Sequence, residues 1–478
     1  MRLDAQACFR AVRARDRRFD GRFFAAVATT GIYCRPICPA RAAKRGNLRF
    51  FPSAAAAERA GFRPCLRCRP ERAPGVSSAD AASRLIAAAV AAIEEHALSG
   101  ARVDELASSL GVSDRHLRRV MAAELGVTPI ELAQTQRLLL AKRLLDETTL
   151  TQTEIAYASG FASVRRFNAL FKSRYGLCPR TLRGRRAACE TLRCRLEFRP
   201  PLAWPQLLGF LRERATAGVE SVDATHYRRT AEIGAHRGWI AVSLSADRRA
   251  LTVEISRSLA PAIAVVIARV KDLFDLGAAP EAVDAHLRRD PTLAGIVRRI
   301  PGLRVPGAFD GFEIAARTIL GQQVSVKAAS TLAARIALAQ GEPIETPYAD
   351  LSRLTPTAQR IAALSPAAGA ALGIIRARAV ALAEVARRFD CGEFRAGVVV
   401  DVDAAVSGLA TVPGIGPWTA QMIAMRVWRH PDAFPGGDLG LRRAAGADER
   451  RLCARALLWR PWRAYAAHYL WQSSGAQA

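Results

Sequence analysis

A segment that occurs twice, at 105–129 and again at 154–179, constrains the fold of this chain more than any other feature. Each copy predicts a helix, a glycine-containing turn and a second helix, and each ends in Gly-x-x-Pro. In both second helices, apolar residues at helical spacing face a core while basic residues stay exposed. These basic residues are Arg115, Arg118, Arg165 and Arg166. The repeat predicts two helix-turn-helix units whose second helices can enter major grooves of DNA, although a purely structural helical repeat is the simpler alternative.

The balance of charge favours a polyanionic partner. The 478 residues include 70 Lys and Arg against 43 Asp and Glu, a formal net charge of +27. Nucleic acid is the commonest partner of so basic a protein. No apolar run approaches the roughly 20 residues that span a bilayer, and the N-terminus lacks the apolar centre of a secretory signal. We therefore expect a cytoplasmic, nucleoid-associated protein that does not bind membranes.

Changes in sequence character predict a multidomain, mainly α fold. Pro, Gly and Ser cluster at 72–80 and predict a linker, and "RGRRAACE" at 183–190 marks a second boundary. Alternating β-favouring runs cover 191–258, and helical periodicity then returns. The predicted domains are a small cysteine-containing module at 1–75, a tandem helix-turn-helix domain at 80–186, an α+β subdomain at 190–300 and a helical domain at 301–478.

Four cysteines of the first module have the spacing of a zinc site. Cys34 and Cys38 form a C-x3-C pair, and Cys65 and Cys68 follow 26 residues later as a C-x2-C pair. A reduced compartment leaves such thiols free to bind one tetrahedral Zn²⁺. The spacing alone leaves open whether the zinc is purely structural or one thiolate also reacts. If a sulfur accepted a methyl group, the site would lose one negative charge and bind DNA more tightly.

The sequence around these cysteines resembles the N-terminal domain of the Ada-type adaptive response proteins, through "TTGIYCRP", "CPAR" and "GFRPCLRC". The resemblance implies that Cys34, itself a zinc ligand, accepts a methyl group from a DNA methylphosphotriester, while the other three cysteines are the remaining zinc ligands. Arg41 and Arg45 would contact phosphates. No Pro-Cys-His-Arg tetrapeptide occurs in the chain, so transfer from O6-methylguanine is not expected.

The repeated segment resembles the AraC-type DNA-binding domain of bacterial regulators, which often follows an Ada-type module. That resemblance implies sequence-specific binding of promoter DNA. It adds RNA polymerase as a candidate partner, and we expect the chain to act as a monomer on double-stranded DNA.

The C-terminal half contains a second DNA-binding pattern, "LATVPGIGPWTAQMIAMRVW" at 409–428. It predicts two helices joined by a tight hairpin at Gly414 and Gly416, where free N–H groups can bind a phosphate. Asp438 follows in "FPGGDLGLRR". This residue is either a catalytic carboxylate or an N-cap of the next helix, and the two roles are compatible.

This pattern resembles the helix-hairpin-helix superfamily of DNA glycosylases, and residues 191–473 resemble its AlkA-type 3-methyladenine glycosylases, including a TBP-like α+β subdomain. The resemblance implies that Asp438 catalyses the release of alkylated purines. Trp418 stands where bifunctional relatives have a Schiff-base lysine, so we expect a monofunctional enzyme. Gly414, Gly416 and Thr419 would contact DNA, and carbonyls near Ala410, Val412 and Gly414 would hold a monovalent cation.

By position, Trp418, Trp471 and Phe210 carry over as base-contacting residues, and Gln322 and Gln323 as the loop that fills the gap left by the flipped nucleotide. Met422 and Leu439 stand where the family pattern has tyrosines, and Gln323 where it has a leucine, which puts the substrate range in doubt. Trp462, Tyr465 and Tyr469 are further candidates for the pocket, although Trp462 could equally fill the core.

Two other functions fit parts of this pattern. The chain could be a methylation-responsive transcription regulator whose glycosylase half is inactive. It could also be a structural zinc protein that binds nucleic acid without sequence preference. Asp438 at its expected distance from the hairpin favours the repair enzyme.

Overall fold

The computed structural model describes residues 4–75, 84–96, 103–183 and 190–473. Residues 76–80 of the predicted linker and 184–189 of the second boundary lie outside the described residues. The chain forms two compact units, residues 1–200 with 245–268, and residues 201–244 with 269–478. The predicted α+β subdomain contributes to both units, and the four domain boundaries stay a prediction. Within the described residues, no helix has the length and apolar character needed to cross a membrane.

The first unit begins with a small sheet and two helices, whose strands run in the order β3–β1–β2–β4. The parallel pairing of β2 with β4 sets Ile32 beside Arg63 and Tyr33 beside Pro64. Ser53 caps the second helix by accepting a hydrogen bond from the N–H of Ala56. The elements are α1 (Ala5–Ala14), β1 (Phe24–Val27), β2 (Ile32–Cys34), β3 (Leu48–Phe51), α2 (Ala54–Arg59) and β4 (Arg63–Pro64).

The two predicted helix-turn-helix units follow in the same unit and are confirmed. Ser113 and Ser163 cap the second helix of each copy, and Gly126 and Gly176 end these helices in the left-handed conformation, at φ 73° and 67°. Their apolar faces are buried, as the repeat predicted. The helices are α3 (Arg84–His96), α4 (Val103–Ser109), α5 (Asp114–Leu125), α6 (Pro129–Glu147), α7 (Gln152–Ala158) and α8 (Val164–Tyr175). We call α5 and α8 the recognition helices.

The β-favouring runs form strands as predicted. In the first unit β5 pairs with β9 in antiparallel register, from Thr191 opposite Ser256 to Glu197 opposite Ala250. In the second unit β7 pairs antiparallel with both β6 and β8. The strands are β5 (Thr191–Glu197), β6 (Glu220–Val222), β7 (His226–Ile233), β8 (His236–Leu244) and β9 (Ala250–Ser256).

After residue 256 the described elements of regular secondary structure are helices, and a large cluster of buried apolar residues joins most of them into one core in the second unit. The helices after residue 200 are α9 (Trp204–Glu213), α10 (Ile263–Leu273), α11 (Pro280–Leu287), α12 (Pro291–Arg299), α13 (Gly311–Leu320), α14 (Val326–Gln340), α15 (Ala358–Ala362), α16 (Pro366–Ala371), α17 (Arg376–Asp390), α18 (Val402–Ala410), α19 (Pro417–Arg426), α20 (Leu439–Ala445), α21 (Glu449–Ala456) and α22 (Arg463–Ser473).

Aromatic side chains of α22 fix its position in this core through buried carboxylates. The Tyr465 hydroxyl donates to Asp275 at 2.6 Å, and the Tyr469 hydroxyl donates to Asp284 at 2.7 Å. Both tyrosines are buried. Their hydroxyls are thus held inside the core, and their place in a base pocket stays a prediction.

A buried carboxylate also lies inside the first unit. The Glu58 side chain on α2 accepts hydrogen bonds from the hydroxyls of Tyr33 at 2.9 Å and Thr135 at 3.0 Å, and one from Tyr175 at 3.4 Å. Burial raises the pKa of Glu58 to about 7, although the hydroxyls and the nearby Arg174 act in the opposite direction.

The raised pKa of Glu58 makes the stability of the first unit depend on pH. The folded chain holds this proton more tightly than the unfolded chain, so the resulting stabilisation is complete below the ordinary pKa of 4.5 and is lost as pH rises through about 7. Relative to Glu58→Gln, the free energy of unfolding should fall by up to about 3 kcal/mol between pH 5 and pH 8. Urea unfolding of both proteins measures this difference, and identical pH profiles would contradict the assignment.

Candidate functional site

Asp438 lies at the centre of the site in the second unit and is held by three N–H donors. The indole N–H of Trp418 donates to Oδ2 at 2.9 Å, and the indole N–H of Trp471 donates to Oδ1 at 3.0 Å. Oδ1 also accepts from the backbone N–H of Leu441 at 2.9 Å, which makes Asp438 the N-cap of α20. An ionised carboxylate only accepts hydrogen bonds, so this set of donors stabilises its charge and fixes its orientation. The structure therefore shows the N-cap role of Asp438, and its catalytic role stays a prediction.

The backbone beside Asp438 leaves room for this arrangement. A Cβ at Gly440 would stand 3.1 Å from the Asp438 Oδ1 atom and 3.4 Å from the Trp471 ring. Any side chain at this position would press on the carboxylate or the indole. Gly440 therefore allows the first turn of α20 to approach Trp471 closely.

Phe210, the third predicted base-contacting residue, lies on α9 and is buried. The His468 ring lies 5.0 Å from the Phe210 ring and 5.0 Å from the Trp471 ring, so it contacts both of these predicted base-contacting residues. The guanidinium carbon of Arg214 lies 3.9 Å from the Phe210 ring centre, and that of Arg426 lies 5.2 Å from it. The Phe210 ring is thus surrounded by one imidazole ring and two guanidinium groups.

Burial shifts the pKa values of the groups that surround Phe210. It lowers the pKa of His468 well below its ordinary value, and the neighbouring Arg426 and Arg214 add to the effect. Burial likewise lowers the pKa of Arg426 to about 9 and that of Arg214 to about 10. At neutral pH the histidine is therefore uncharged. Sequence reasoning missed His468, although it stands three residues before Trp471 on α22 and so shares its helix face.

Met422 and Leu439, two of the three positions that depart from the family pattern, lie close in the sequence to Trp418 and Asp438. Met422 is half-buried on α19, one helical turn beyond Trp418. Leu439 directly follows Asp438 and is exposed. Both positions are therefore apolar where the family pattern provides phenol hydroxyls.

The predicted hairpin joins α18 to α19. Gly414 has φ 87°, a left-handed conformation that favours glycine. Gly416 is the N-cap of α19 and provides no side chain to cap it. The first N–H groups of α19 are consequently available to a phosphate.

Gln322 connects this hairpin to the loop between α13 and α14. Its amide Nε2 donates to the Gly414 carbonyl and to the Thr419 hydroxyl, each at 2.9 Å, while Arg378 donates to the Gln322 carbonyl at 2.7 Å. The side chain of Thr419 is buried, so a DNA contact at this residue would use its backbone. Gln323 is exposed and holds the left-handed conformation, at φ 53°. The structure thus presents Gln323 at the tip of a loop that is already fixed.

The four cysteines of the first unit form one cluster, in which all four sulfurs lie within 4.8 Å of one another. The β2–β4 pairing brings the two cysteine pairs together. Four thiolates around one zinc, each about 2.3 Å from it, need a similar separation. Backbone N–H groups of Arg35 and Arg67 donate to the sulfurs of Cys68 at 3.3 Å and Cys65 at 3.4 Å, as expected for charged sulfurs. The donor set therefore fits one Zn²⁺.

Accessibility distinguishes the four sulfurs. Cys65 and Cys68 are buried, whereas Cys34 and Cys38 are both partly exposed. A thiolate that reacts with DNA must be reachable, and Cys34 and Cys38 both meet this condition. Exposure alone therefore does not decide whether the zinc site is structural or reactive.

Arg35 is a buried residue of this site that sequence reasoning missed. Its guanidinium donates to the Cys68 carbonyl at 3.0 Å, to Asp20 at 2.8 Å and to Glu197 at 2.7 Å. Burial opposes its charge, but Asp20 and Glu197 outweigh burial and raise the pKa of Arg35. Arg35 therefore stays charged and holds the backbone that presents Cys68.

The predicted DNA-contacting arginines of the first unit lie at its surface. Arg118 forms an ion pair with Asp114 at 2.8 Å one turn away on α5, and its side chain is partly exposed. The exposed members are Arg41, Arg45, Arg115, Arg165 and Arg166.

Three family models match successive parts of the chain. The metal binding domain of Ada matches residues 7–71, a helix-turn-helix domain matches 106–185, and the AlkA N-terminal domain matches 193–310. These matches follow the order of modules in the structure.

Individual proteins extend the match. A probable bifunctional transcriptional activator/DNA repair enzyme AlkA of Mycobacterium tuberculosis is 38% identical over 490 residues, which cover 98% of this chain and 97% of that protein. The DNA-3-methyladenine glycosylase 2 of Escherichia coli is 38% identical over 285 residues, 59% of this chain and 98% of that protein.

A solved structure supports the fold of the second half. The 3-methyladenine DNA-glycosylase from Archaeoglobus fulgidus superposes with a TM-score of 0.50 at 21% identity, covering 58% of this chain and 97% of that one. Because the Mycobacterium relative matches over nearly its whole length, the chain belongs to the family of bifunctional transcriptional activator/DNA repair enzymes of the AlkA type.

Proposed function

We propose that the second unit is a DNA glycosylase that releases alkylated purines, of the 3-methyladenine and 7-methylguanine type, with Asp438 as its catalytic carboxylate. The relatives that match this region are named as 3-methyladenine glycosylases. The observation that carries the proposal is the carboxylate held by two indole N–H groups at 2.9 and 3.0 Å. This geometry presents a fixed negative charge beside two aromatic rings.

The reaction is a hydrolysis. The bond between deoxyribose C1′ and the purine nitrogen breaks, and its electron pair leaves with the base. Asp438 stabilises the positive charge that develops on the sugar and orients a water molecule. The water oxygen bonds to C1′ and releases a proton to solvent, so the products are free base and an abasic site.

Alkylated purines suit this site because they carry a positive charge and are already good leaving groups. A cationic ring is attracted to the faces of Trp418 and Trp471 by about 1–2 kcal/mol where water is excluded. The base must leave the duplex to reach them, and the exposed Gln323 is placed to fill the gap. A base that needs protonation before it can leave finds no charged acid at His468, which is neutral at working pH.

The enzyme acts as a monofunctional glycosylase. Trp418 occupies the position of the Schiff-base lysine, and its N–H is bonded to Asp438, so this position supplies no amine nucleophile. The abasic product should stay uncut until it is treated with alkali. Strand cleavage by the protein alone, measured on a gel without alkali, would contradict this assignment.

Trp471→Phe tests the indole contact to Asp438. The variant keeps an aromatic ring but removes the 3.0 Å N–H donor. A hydrogen bond to a charged group contributes about 1.5–3 kcal/mol, so base release at saturating enzyme should slow roughly ten- to a hundredfold. Trp459→Phe is the control, because it removes an indole N–H that donates to Asp290 at 2.8 Å instead of to Asp438, and it should retain the wild-type rate. Equal rates in Trp471→Phe and wild type would exclude this role.

The first unit provides a second function, acceptance of a methyl group from a DNA methylphosphotriester by Cys34. The Cys34 sulfur attacks the methyl carbon, a C–S bond forms, and the C–O bond breaks with its electron pair remaining on the phosphate oxygen. Bound Zn²⁺ would keep the four thiols in their thiolate form. The partial exposure of Cys34 is compatible with this assignment, and its choice over the equally partly exposed Cys38 rests on the resemblance to the Ada-type domain.

The tandem helix-turn-helix gives the chain its third property, binding of promoter DNA, with RNA polymerase as a candidate partner and a monomer as the expected state on DNA. Exposed arginines on both recognition helices support DNA binding. The predicted monovalent cation at the hairpin has less support. The carbonyls of Val412 and Gly414 already accept hydrogen bonds from Ile415 and Gln322, so a cation there would have to share them.

A further inference from the structure

Helix α2 belongs to the module at 1–75 that contains the four cysteines, which we call the zinc module. It contacts the C-terminal end of the first recognition helix, α5. The Ser53 hydroxyl, which caps α2, donates to the Leu125 carbonyl at 3.0 Å, and the Arg59 guanidinium donates to the Gly126 carbonyl at 2.9 Å. A Cβ at Gly126 would lie 3.4 Å from the Ala56 methyl, so the backbones pack closely. Side chains of the zinc module thus donate hydrogen bonds to carbonyl groups at the end of α5, which lack a partner within the helix.

The same short helix contacts the end of the second recognition helix. Tyr175, the last residue of α8, donates to the Glu58 carboxylate at 3.4 Å, and Arg174 donates to the Glu58 backbone carbonyl at 3.5 Å. Thr135 of α6 donates to the second carboxylate oxygen at 3.0 Å. Helix α2 therefore lies between the ends of α5 and α8.

Hydrogen bonds to Glu58 fix the orientation of α2 relative to its neighbours. The carboxylate is buried, and its oxygens accept from hydroxyls on three different elements, β2, α6 and α8. Apolar surfaces can slide past one another, but a buried carboxylate must keep its partners, because losing one leaves an unsatisfied polar group. Tyr33 directly precedes the metal ligand Cys34, so the network also attaches α2 to the zinc site.

We propose that α2 is a spacer that sets the separation and angle of the two recognition helices, so that the zinc module determines which spacing of DNA half-sites the chain reads. This inference rests on the proposed binding of promoter DNA. Two recognition helices on one face of DNA enter major grooves about 34 Å apart, and a small change in their separation changes the preferred number of base pairs. Glu58 is then a positioning residue for sequence recognition.

The test replaces the polar network with apolar groups of similar shape, in the full chain. The variant combines Tyr33→Phe, Glu58→Leu, Thr135→Val and Tyr175→Phe, because removing all partners together avoids unpaired buried groups. The probe is a library of random 30-base-pair duplexes, from which bound sequences are selected and read. Wild type should enrich two half-sites at one spacing. The variant should enrich several spacings, and its affinity for the best wild-type site should fall at least about fivefold.

Tyr157→Phe is the matched control, since Tyr157 is an exposed tyrosine of α7 outside the network. It should retain the single spacing. A combined variant that keeps the single spacing and the wild-type affinity would overturn the spacer role. A wild-type protein that enriches no motif would overturn the proposed promoter binding itself, and the spacer with it.

Two further measurements test the proposal even if the combined variant does not fold. Arg59→Ala removes the bond to Gly126 from a side chain that is 55% exposed, so the fold should persist, and the range of selected spacings should still widen. Without DNA, amide hydrogen exchange in α8 should become several-fold faster in Tyr33→Phe, with zinc content unchanged. Exchange in α8 at the wild-type rate would count against the connection through Glu58.

Discussion

Asp438→Asn is expected to slow the release of alkylated base by about a hundred- to a thousandfold, because the amide cannot supply the negative charge that stabilises the developing sugar cation. Asparagine is a good N-cap, so α20 should form normally. The amide would also face two indole N–H groups with only one oxygen to accept from them. The measurement is single-turnover release of 3-methyladenine and 7-methylguanine from methylated duplex DNA.

The chain offers a matched control for this variant. Asp448 caps α21 through the N–H of Arg451 at 2.8 Å, as Asp438 caps α20, but it is bonded to neither Trp418 nor Trp471 among the contacts of the described structure. Asp448→Asn should therefore release base at the wild-type rate. If Asp438→Asn also retained that rate, catalysis would have to be assigned to another group.

Cys34→Ser is expected to abolish methyl acceptance by the first unit. A serine hydroxyl remains protonated at neutral pH and is a far weaker nucleophile than a thiolate. Wild-type protein incubated with DNA containing methylphosphotriesters should gain the mass of one methyl group on the peptide that contains Cys34, and the variant should gain none. Base release should persist in the variant, because the glycosylase residues lie in the other unit.

Two results would change the interpretation of Cys34. A methyl group found on Cys38, Cys65 or Cys68 of the wild-type protein would identify a different acceptor. Cys178→Ser, which removes an exposed cysteine outside the cluster, should accept methyl groups normally, and zinc content measured in every variant separates loss of the metal from loss of the nucleophile.

Local signals explain why the modules could be predicted from sequence. Ser113 and Ser163 cap helices, and Gly126 and Gly176 end them, through contacts within a few residues. The cysteine site could likewise be predicted from the spacing of the cysteines, and the pairing of β2 with β4 brings the two pairs together. Such features depend little on the rest of the fold.

Long-range contacts explain what sequence reasoning missed. Tyr465 and Tyr469 have the same aromatic character as Trp471, but their hydroxyls meet Asp275 and Asp284, which lie about 190 residues earlier in the chain. His468 is buried between Phe210 and Trp471 only because α9 packs against α22. No pattern within either helix contains this information.

The charge on Glu58 illustrates the same limit. Its local sequence, an alanine-rich helix, does not indicate its partners, and the fold surrounds its carboxylate with hydroxyls from three elements. The raised pKa follows from that burial. The functional consequences of Glu58 are therefore visible only in the folded chain.

The most direct test of the central proposal is chromatography of the bases that the purified full chain releases from methylated duplex DNA. We expect free 3-methyladenine or 7-methylguanine in molar excess over the protein, with the DNA backbone intact until alkali is added. Release no faster than the spontaneous loss in protein-free DNA would contradict it. That result would favour a methylation-responsive regulator whose glycosylase half is inactive.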